Sequence, residues 1–144
     1  CAMHISEVIR RKGDSVVTIG PDATVAELLE LLTEHGIGAV VVSEDGTSVT
    51  GIVSERDVVH HLHRDGPAIL PTPVSTIMTG TVLTCTPEDD VEHLARRMTE
   101  GRFRHVPVVV DGRLQAIDSI GDIVKHRIDA LELERDQLVG YIQQ

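Results

Sequence analysis

Two short stretches carry residue types suited to holding a small anionic ligand: Ser54-Glu55-Arg56-Asp57 and Ser119-Ile120-Gly121-Asp122. In each, a hydroxyl stands where a β-prone run gives way to a helical pattern, three residues ahead of a carboxylate. A serine there caps the helix. The free N–H groups and positive dipole end of the same helix start favour an anion such as phosphate. One turn further on, Asp57 and Asp122 are acceptor-only carboxylates, suited to the two hydroxyls of a ribose cis-diol. Phosphate at the helix start with a carboxylate one turn in fits the sugar-phosphate of a nucleotide. Taken singly, the same residues read as ordinary caps, with first-turn acid complementing the dipole. Their occurrence as a repeated pair favours the ligand.

Other chemistry-bearing residues are weaker candidates. Arg102 and Arg104 flank Phe103, where an earlier, related stretch has Gly36 and Gly38; a guanidinium there pairs with phosphate or is a solvated loop charge. His60, His61 and His63 lack a carboxylate or Cys at metal-ligand spacing and read as surface histidines. A hydrolase using Ser54, Asp57 and a histidine would need a positioned base. No nucleophile elbow, Walker A loop or zinc motif is present.

The elements that must position these residues occur twice. Sliding the chain by 66 places residues 16–46 on residues 82–112 with eleven of thirty-one positions identical, among them Pro21/Pro87, Leu28/Leu94, Val40/Val106 and Gly46/Gly112. Beyond the turn the offset is 65, and Ile52/Ile117, Ser54/Ser119 and Asp57/Asp122 match. Upstream, Val8-Ile9 after Ser6 mirrors Ile77-Met78 after Ser75. Each copy opens with a β-prone run (16–19; 82–85), then a helix with Val25, Leu28, Leu29 and Leu32 at helical spacing. Thr24 and Glu27 form a capping box, and Asp90 caps the second copy's helix. An apolar strand (39–42; 106–110) turns at Asp45-Gly46 or Asp111-Gly112 into a third strand. Ser54 or Ser119 then starts a last helix. The order is β-α-β-β-α, twice, with Gly66, Pro67, Pro71 and Pro73 marking the linker. Arg10-Arg11-Lys12 reads as a solvated turn.

A unit of about 60 residues buries too little surface to be comfortable alone, and its helices cover one sheet face. Pairing the units sheet to sheet about a pseudo-twofold axis answers both problems and creates two clefts. The expected fold is α/β, with boundaries at 3–66 (first repeat), 67–73 (linker), 74–127 (second repeat) and 128–144 (helical extension). In that extension Val124, Ile128, Leu131, Leu138 and Ile142 form an apolar stripe. The expected cover is a second copy of the chain, the alternative a fold-back onto its own body.

Composition limits the partners. The 144 residues carry a formal net charge of −10, which argues against nucleic acid and anionic membranes as partners. With Phe103 and Tyr141 the only aromatics beside histidine, the core must be aliphatic. No apolar run is long enough to cross a bilayer. Cys1 and Ala2 read as additions ahead of a natural start at Met3, leaving Cys85 unpaired; the expected compartment is the cytoplasm.

The segment Gly51-Ile52-Val53-Ser54-Glu55-Arg56-Asp57 resembles the G-h-h-S/T-x-x-D signature of CBS domains, named after cystathionine β-synthase. Ala116-Ile117-Asp118-Ser119-Ile120-Gly121-Asp122 is its second copy. Val74-Ser75-Thr76-Ile77-Met78-Thr79 resembles the lead-in of a second CBS repeat, and Arg104-His105-Val106-Pro107-Val108 its middle strand. The resemblance implies adenine between apolar side chains, with backbone contacts from the first and middle strands. One site would then use Thr18, Ile19, Ile37, Ala39, Ile52, Ser54 and Asp57. The other would use Thr84, Cys85, Phe103, Arg104, His105, Ile117, Ser119 and Asp122. The second signature departs from the pattern at Ala116 and Asp118, which share one strand face. A carboxylate there is expected to seek Arg102, Arg104 or His105, or stay protonated, and so to weaken the second site.

The resulting expectation is a regulatory, energy-sensing module without catalysis. It would bind AMP foremost, then ADP, ATP or NAD, pair as a homodimer and act on a separate effector protein. The alternatives are an adaptor without a physiological nucleotide and a nucleotide-acting hydrolase.

Overall fold

The computed structural model describes residues 4–12 and 16–143. Its elements run α1 (Ile5–Lys12), β1 (Thr18–Ile19), α2 (Val25–His35), β2 (Ala39–Val42), β3 (Gly51–Ser54), α3 (Glu55–Asp65), α4 (Val91–Gly101), β4 (His105–Val110), β5 (Arg113–Ser119) and α5 (Ile120–Ile142). Short 3₁₀ turns at Gly66–Ile69 and Val74–Thr76 carry the chain between the copies. The repeated order is therefore present, with two local corrections. Residues 82–84 form no strand; only Cys85 bridges, in parallel, to Val108. The basic run at 10–12 belongs to α1 rather than a turn.

β1, β2 and β3 form one sheet, β1 parallel and β3 antiparallel to β2, while β4 and β5 form an antiparallel pair. Register is equivalent in the two copies: Ala39 faces Ser54 and His105 faces Ser119. The second hairpin turns at Asp111 (φ 52) and Gly112 (φ 78), the two positive φ values of a type I′ turn. The first is longer. Residues 43–50 wrap around Asp45, whose Oδ1 accepts from Thr47 N at 2.9 Å and Ser48 N at 2.7 Å. Those bonds hold the Asp45 carboxyl well below the usual carboxylate range.

Val40, Val42 and Val53 pack with Val25, Leu28, Leu32 and Val58 in a helix-side core. Val41, on the opposite face, is also fully buried, and its counterpart Pro107 is buried too. Burial of both faces is what sheet-to-sheet pairing produces.

The lead-in segments cross between copies. Ile5 and Val8 of α1 belong to the second copy's core, with Cys85, Val91, Leu94, Met98, Val106, Val108 and Ile123. Val74 and Ile77, which precede the second copy, belong to the first core. Matching hydrogen bonds secure the exchange: Ser6 N donates to Pro87 O at 2.8 Å and Ser75 N to Pro21 O at 3.1 Å. The buried His126 lies 3.7 Å from Glu7, tying α5 to α1. Each packed core thus draws residues from both repeats. α5 runs through residue 127 without a break, and every described residue from Leu131 onward is exposed.

Candidate functional site

The S-x-x-D stretches form helix starts as their residue types require. Ser54 is extended (φ −125, ψ 165) and caps α3; Ser119 (φ −100, ψ 160) caps α5. Asp57 N donates to Ser54 Oγ at 3.3 Å, and Ser54 N to Asp57 Oδ2 at 2.9 Å. At the other start, Asp122 N donates to Ser119 Oγ at 3.0 Å and Ser119 N to Asp122 Oδ2 at 3.2 Å. Both stretches are reciprocal capping boxes. The cap role is real, and at Asp57 it engages one carboxylate oxygen, since Ser54 Oγ also donates to Oδ2 at 3.1 Å.

A cleft of about 570 Å³ opens at the start of α3, lined by Ser54, Glu55, Arg56, Asp57 and Val59 of that helix start, by Ile52 of β3 and by Gly38 just ahead of β2. Its far wall comes from the second copy: Thr79, Thr81, Val82 and Leu83, with Arg102, Phe103, Arg104 and His105. The wall approaches closely because Gly51 has no side chain. A Cβ there would stand 2.8 Å from both Met78 Sδ and Thr79 O, and the space is used by paired bonds between Ile52 and Thr79 at 3.0 and 2.9 Å.

The structure therefore regroups the expected site residues. Ile52, Ser54 and Asp57 meet Phe103, Arg104 and His105, which the copy-by-copy reading gave to the other site. Thr18, Ile19, Ile37, Ala39, Thr84 and Cys85 do not line this cleft. Thr18 and Ile19 pair with Val41 and Val42, and Ile19 is buried in the first core. Ile37 packs against that core and Ala39 is buried opposite Ser54. Cys85 has both backbone groups committed, N to Pro107 O at 3.0 Å and O from Val109 N at 2.8 Å. Ile117, Ser119 and Asp122 lie at the other helix start, the end of β5 and the first turn of α5. The residues sequence reasoning missed include Gly38, Glu55, Arg56 and Val59 on the near side and Thr79, Thr81, Val82 and Leu83 on the far wall. The far-wall residues form no regular element, so no periodicity marks them; the 66-residue repeat offset was the available signal.

Asp118 is buried, as expected for the residue that shares a strand face with Ala116. That face is the one of Val53, Asp118's counterpart, directed into the helix-side core. Cys85 lies close by. Burial pushes its thiol up to about 12, helped by the charges of Asp118 and then Asp89. His60, His61 and His63 lie on α3, with His61 Nδ1 3.9 Å from Asp65. Among the described residues no cluster of three or more His, Cys, Asp or Glu could hold a metal ion. No helix of the described residues is long and apolar enough to cross a membrane.

A twice-repeated α/β unit with a composite cleft at a capped helix start defines a paired-domain architecture. The CBS domain family matches residues 5–64 and again 74–129, and the chain belongs to that family. It is similar to the mitochondrial CBS domain-containing protein CBSX3 of Arabidopsis thaliana, 34% identical over 96% of this chain and 71% of that protein. The crystal structure of the CBS-domain containing protein ATU1752 from Agrobacterium tumefaciens is similar with 45% identity and a TM-score of 0.83, covering 87% of this chain and 99% of that one. CBSX2, solved in complex with AMP, is similar with 26% identity and a TM-score of 0.72, over 88% of this chain and 97% of that one.

Proposed function

We propose that this CBS pair is a regulatory module that binds an adenine nucleotide in the cleft at Ser54 and performs no catalysis. The observation that carries the reading is the composition of that one cleft. It combines the capped start of α3, the Asp57 carboxylate, the chain's only phenylalanine and three arginines, in a chain of net charge −10. A phosphate placed at the α3 start meets free N–H groups and guanidinium. A ribose beside Asp57 meets a carboxylate whose cap uses Oδ2. Ile52, Val82, Leu83 and Phe103 supply apolar surface for a base. AMP is the foremost ligand, followed by ADP, ATP and NAD; the AMP complex of CBSX2 supports that order. The module pairs with a second copy through its helices and α5 and signals to a separate effector protein. The buried, unpaired thiol of Cys85 suits the cytoplasm.

The test is thermal unfolding with millimolar AMP, ADP or ATP, followed by chromatography of the nucleotide. A ligand at a hundred times its Kd adds about 2.7 kcal/mol, which is roughly 2–8 °C for a domain of this size. The nucleotide is recovered unchanged. A second reading, a structural adaptor, is favoured by one observation: in both S-x-x-D stretches the serine and aspartate side chains are engaged with each other's backbone as reciprocal helix caps. No shift with any adenine compound selects the adaptor, and a converted nucleotide selects a hydrolase.

A further inference from the structure

α5 carries a seam with a period of its own. Val124, Ile128, Leu131, Arg135, Leu138 and Ile142 follow one another at spacings of four, three, four, three and four, a repeat of about 3.5 residues. A straight helix drifts by about 20° per heptad against that repeat, so such a seam stays in contact only with a second helix wound around it. All six residues are exposed. α5 has 23 residues and the other described helices at most 11, so a partner of matching period and length is a second α5.

The free end of α5 is short, but the seam continues onto the body. Val124 and Ile128 form a ridge between two grooves, one bordered by Ile120 and Lys125, the other by Val91 and Ala95 of α4. Under a twofold axis a ridge beside a groove complements itself, the ridge of each copy entering the groove of the other.

The charges along the seam select a direction. In a parallel pair position 127 of one helix meets position 132 of the other, which joins Arg127 to Glu132 twice over. Arg135 then enters a hole formed by positions 131, 134, 135 and 138 of the second copy, where Glu134 answers its charge. An antiparallel pair that keeps all six seam residues in contact instead brings Glu132 onto Glu132 and Glu134 onto Glu134, and sets each Arg135 against Leu131. Within its own chain Arg135 leans on the adjacent Asp136 at 3.2 Å, and Arg127 on Glu92 at 3.9 Å. Both pairs are exposed and weak, and neither holds its arginine away from a second copy.

We propose that two copies of the chain join through α5 as a parallel, in-register coiled coil. Arg135 fixes its register, and the Arg127–Glu132 pairs fix its direction. The two bodies then lie side by side at one end of the coil. The inference rests on the pairing of two copies through α5 and deepens it by assigning orientation and register.

Oxidative cross-linking with copper phenanthroline, read on non-reducing denaturing gels, tests it in full-length protein carrying Cys1→Ser, with Cys85 buried. Leu138→Cys is expected to cross-link to itself, and Gln137→Cys, off the seam, is expected not to. Glu132→Arg turns both Arg127–Glu132 pairs into repulsions and raises the dimer dissociation constant, by roughly two- to thirtyfold for two exposed pairs. An antiparallel pair would show no such rise, since position 132 there meets its own charge in either form. Arg135→Leu lowers the dissociation constant, because a charged seam residue costs stability. A dimer in which Leu138→Cys does not cross-link, or cross-links no better than Gln137→Cys, overturns the parallel coil and leaves the pairing of copies standing. A dissociation constant unmoved by Glu132→Arg does the same, and a rise with Arg135→Leu removes Arg135 from the seam. A monomeric wild type in sedimentation overturns the pairing and the inference together.

Discussion

Asp57 holds two roles at once, and the two separate experimentally. As a cap it satisfies the Ser54 N–H at 2.9 Å; losing a cap costs about 0.5–2 kcal/mol. As a ligand partner it contributes hydrogen bonds to a charged group, about 1.5–3 kcal/mol each. Asp57→Ala is therefore expected to lower the melting temperature and weaken AMP binding, whereas Asp122→Ala lowers the melting temperature but spares the tight phase, as calorimetry on both will show. Cys85 gives a pH signature. Its thiol is raised from 9.0 to about 12 in the folded protein, so folding favours the protonated form. That stabilisation is complete below pH 9 and is lost as pH climbs from 9 towards 12. Urea midpoints should fall across that window and fall less in Cys85→Ala. At this scale much was legible: Ser54, Asp57, Ser119 and Asp122 stand in the sequence as caps because capping is a local interaction among neighbours. Alternation groups Asp118 with Ala116, and both are buried, but it does not say which sheet face meets the core.

The elements were readable wherever their signal is periodic. α2 and α4 follow from apolar spacing, and the Asp111-Gly112 turn from its residue types. Residues 79–85 were not readable as cleft wall, since they are held by isolated bridges to Ile52 and Val108 and carry no period of their own. α5 shows a third situation, in which the pattern is plain and its cover is not. Val124, Ile128, Leu131, Leu138 and Ile142 are 48%, 50%, 50%, 61% and 79% exposed, so the chain does not fold back over its own stripe. A lone helical segment as short as 131–142 is marginal in water, which is why a second copy is expected against it. Leu131→Asp with Leu138→Asp should give monomer in light scattering, because charge in a buried seam is costly. Unchanged dimer in that variant places the interface elsewhere.

The whole molecule is a pair whose halves depend on each other. The repeat itself is visible in the sequence, and so is the need for sheet-to-sheet pairing. The exchange of α1 and of residues 74–77 between cores is not, because two similar copies offer each lead-in segment two equivalent docking places. Only the connection lengths and the three-dimensional path choose between them. A fragment covering residues 74–144 lacks Ile5 and Val8 from its core, and one covering 4–72 lacks Val74 and Ile77. Each alone should show no cooperative unfolding by circular dichroism, and mixing them should restore it. The same exchange builds the cleft, with one wall from each copy. The most direct measurement is thus a crystal structure of the protein grown with AMP. The nucleotide is expected at the α3 start, its phosphate within hydrogen-bond reach of the Ser54–Asp57 turn and Arg102, and its ribose against Asp57. A cleft empty at an AMP concentration that saturates the protein in solution, or AMP bound away from these residues, would contradict it.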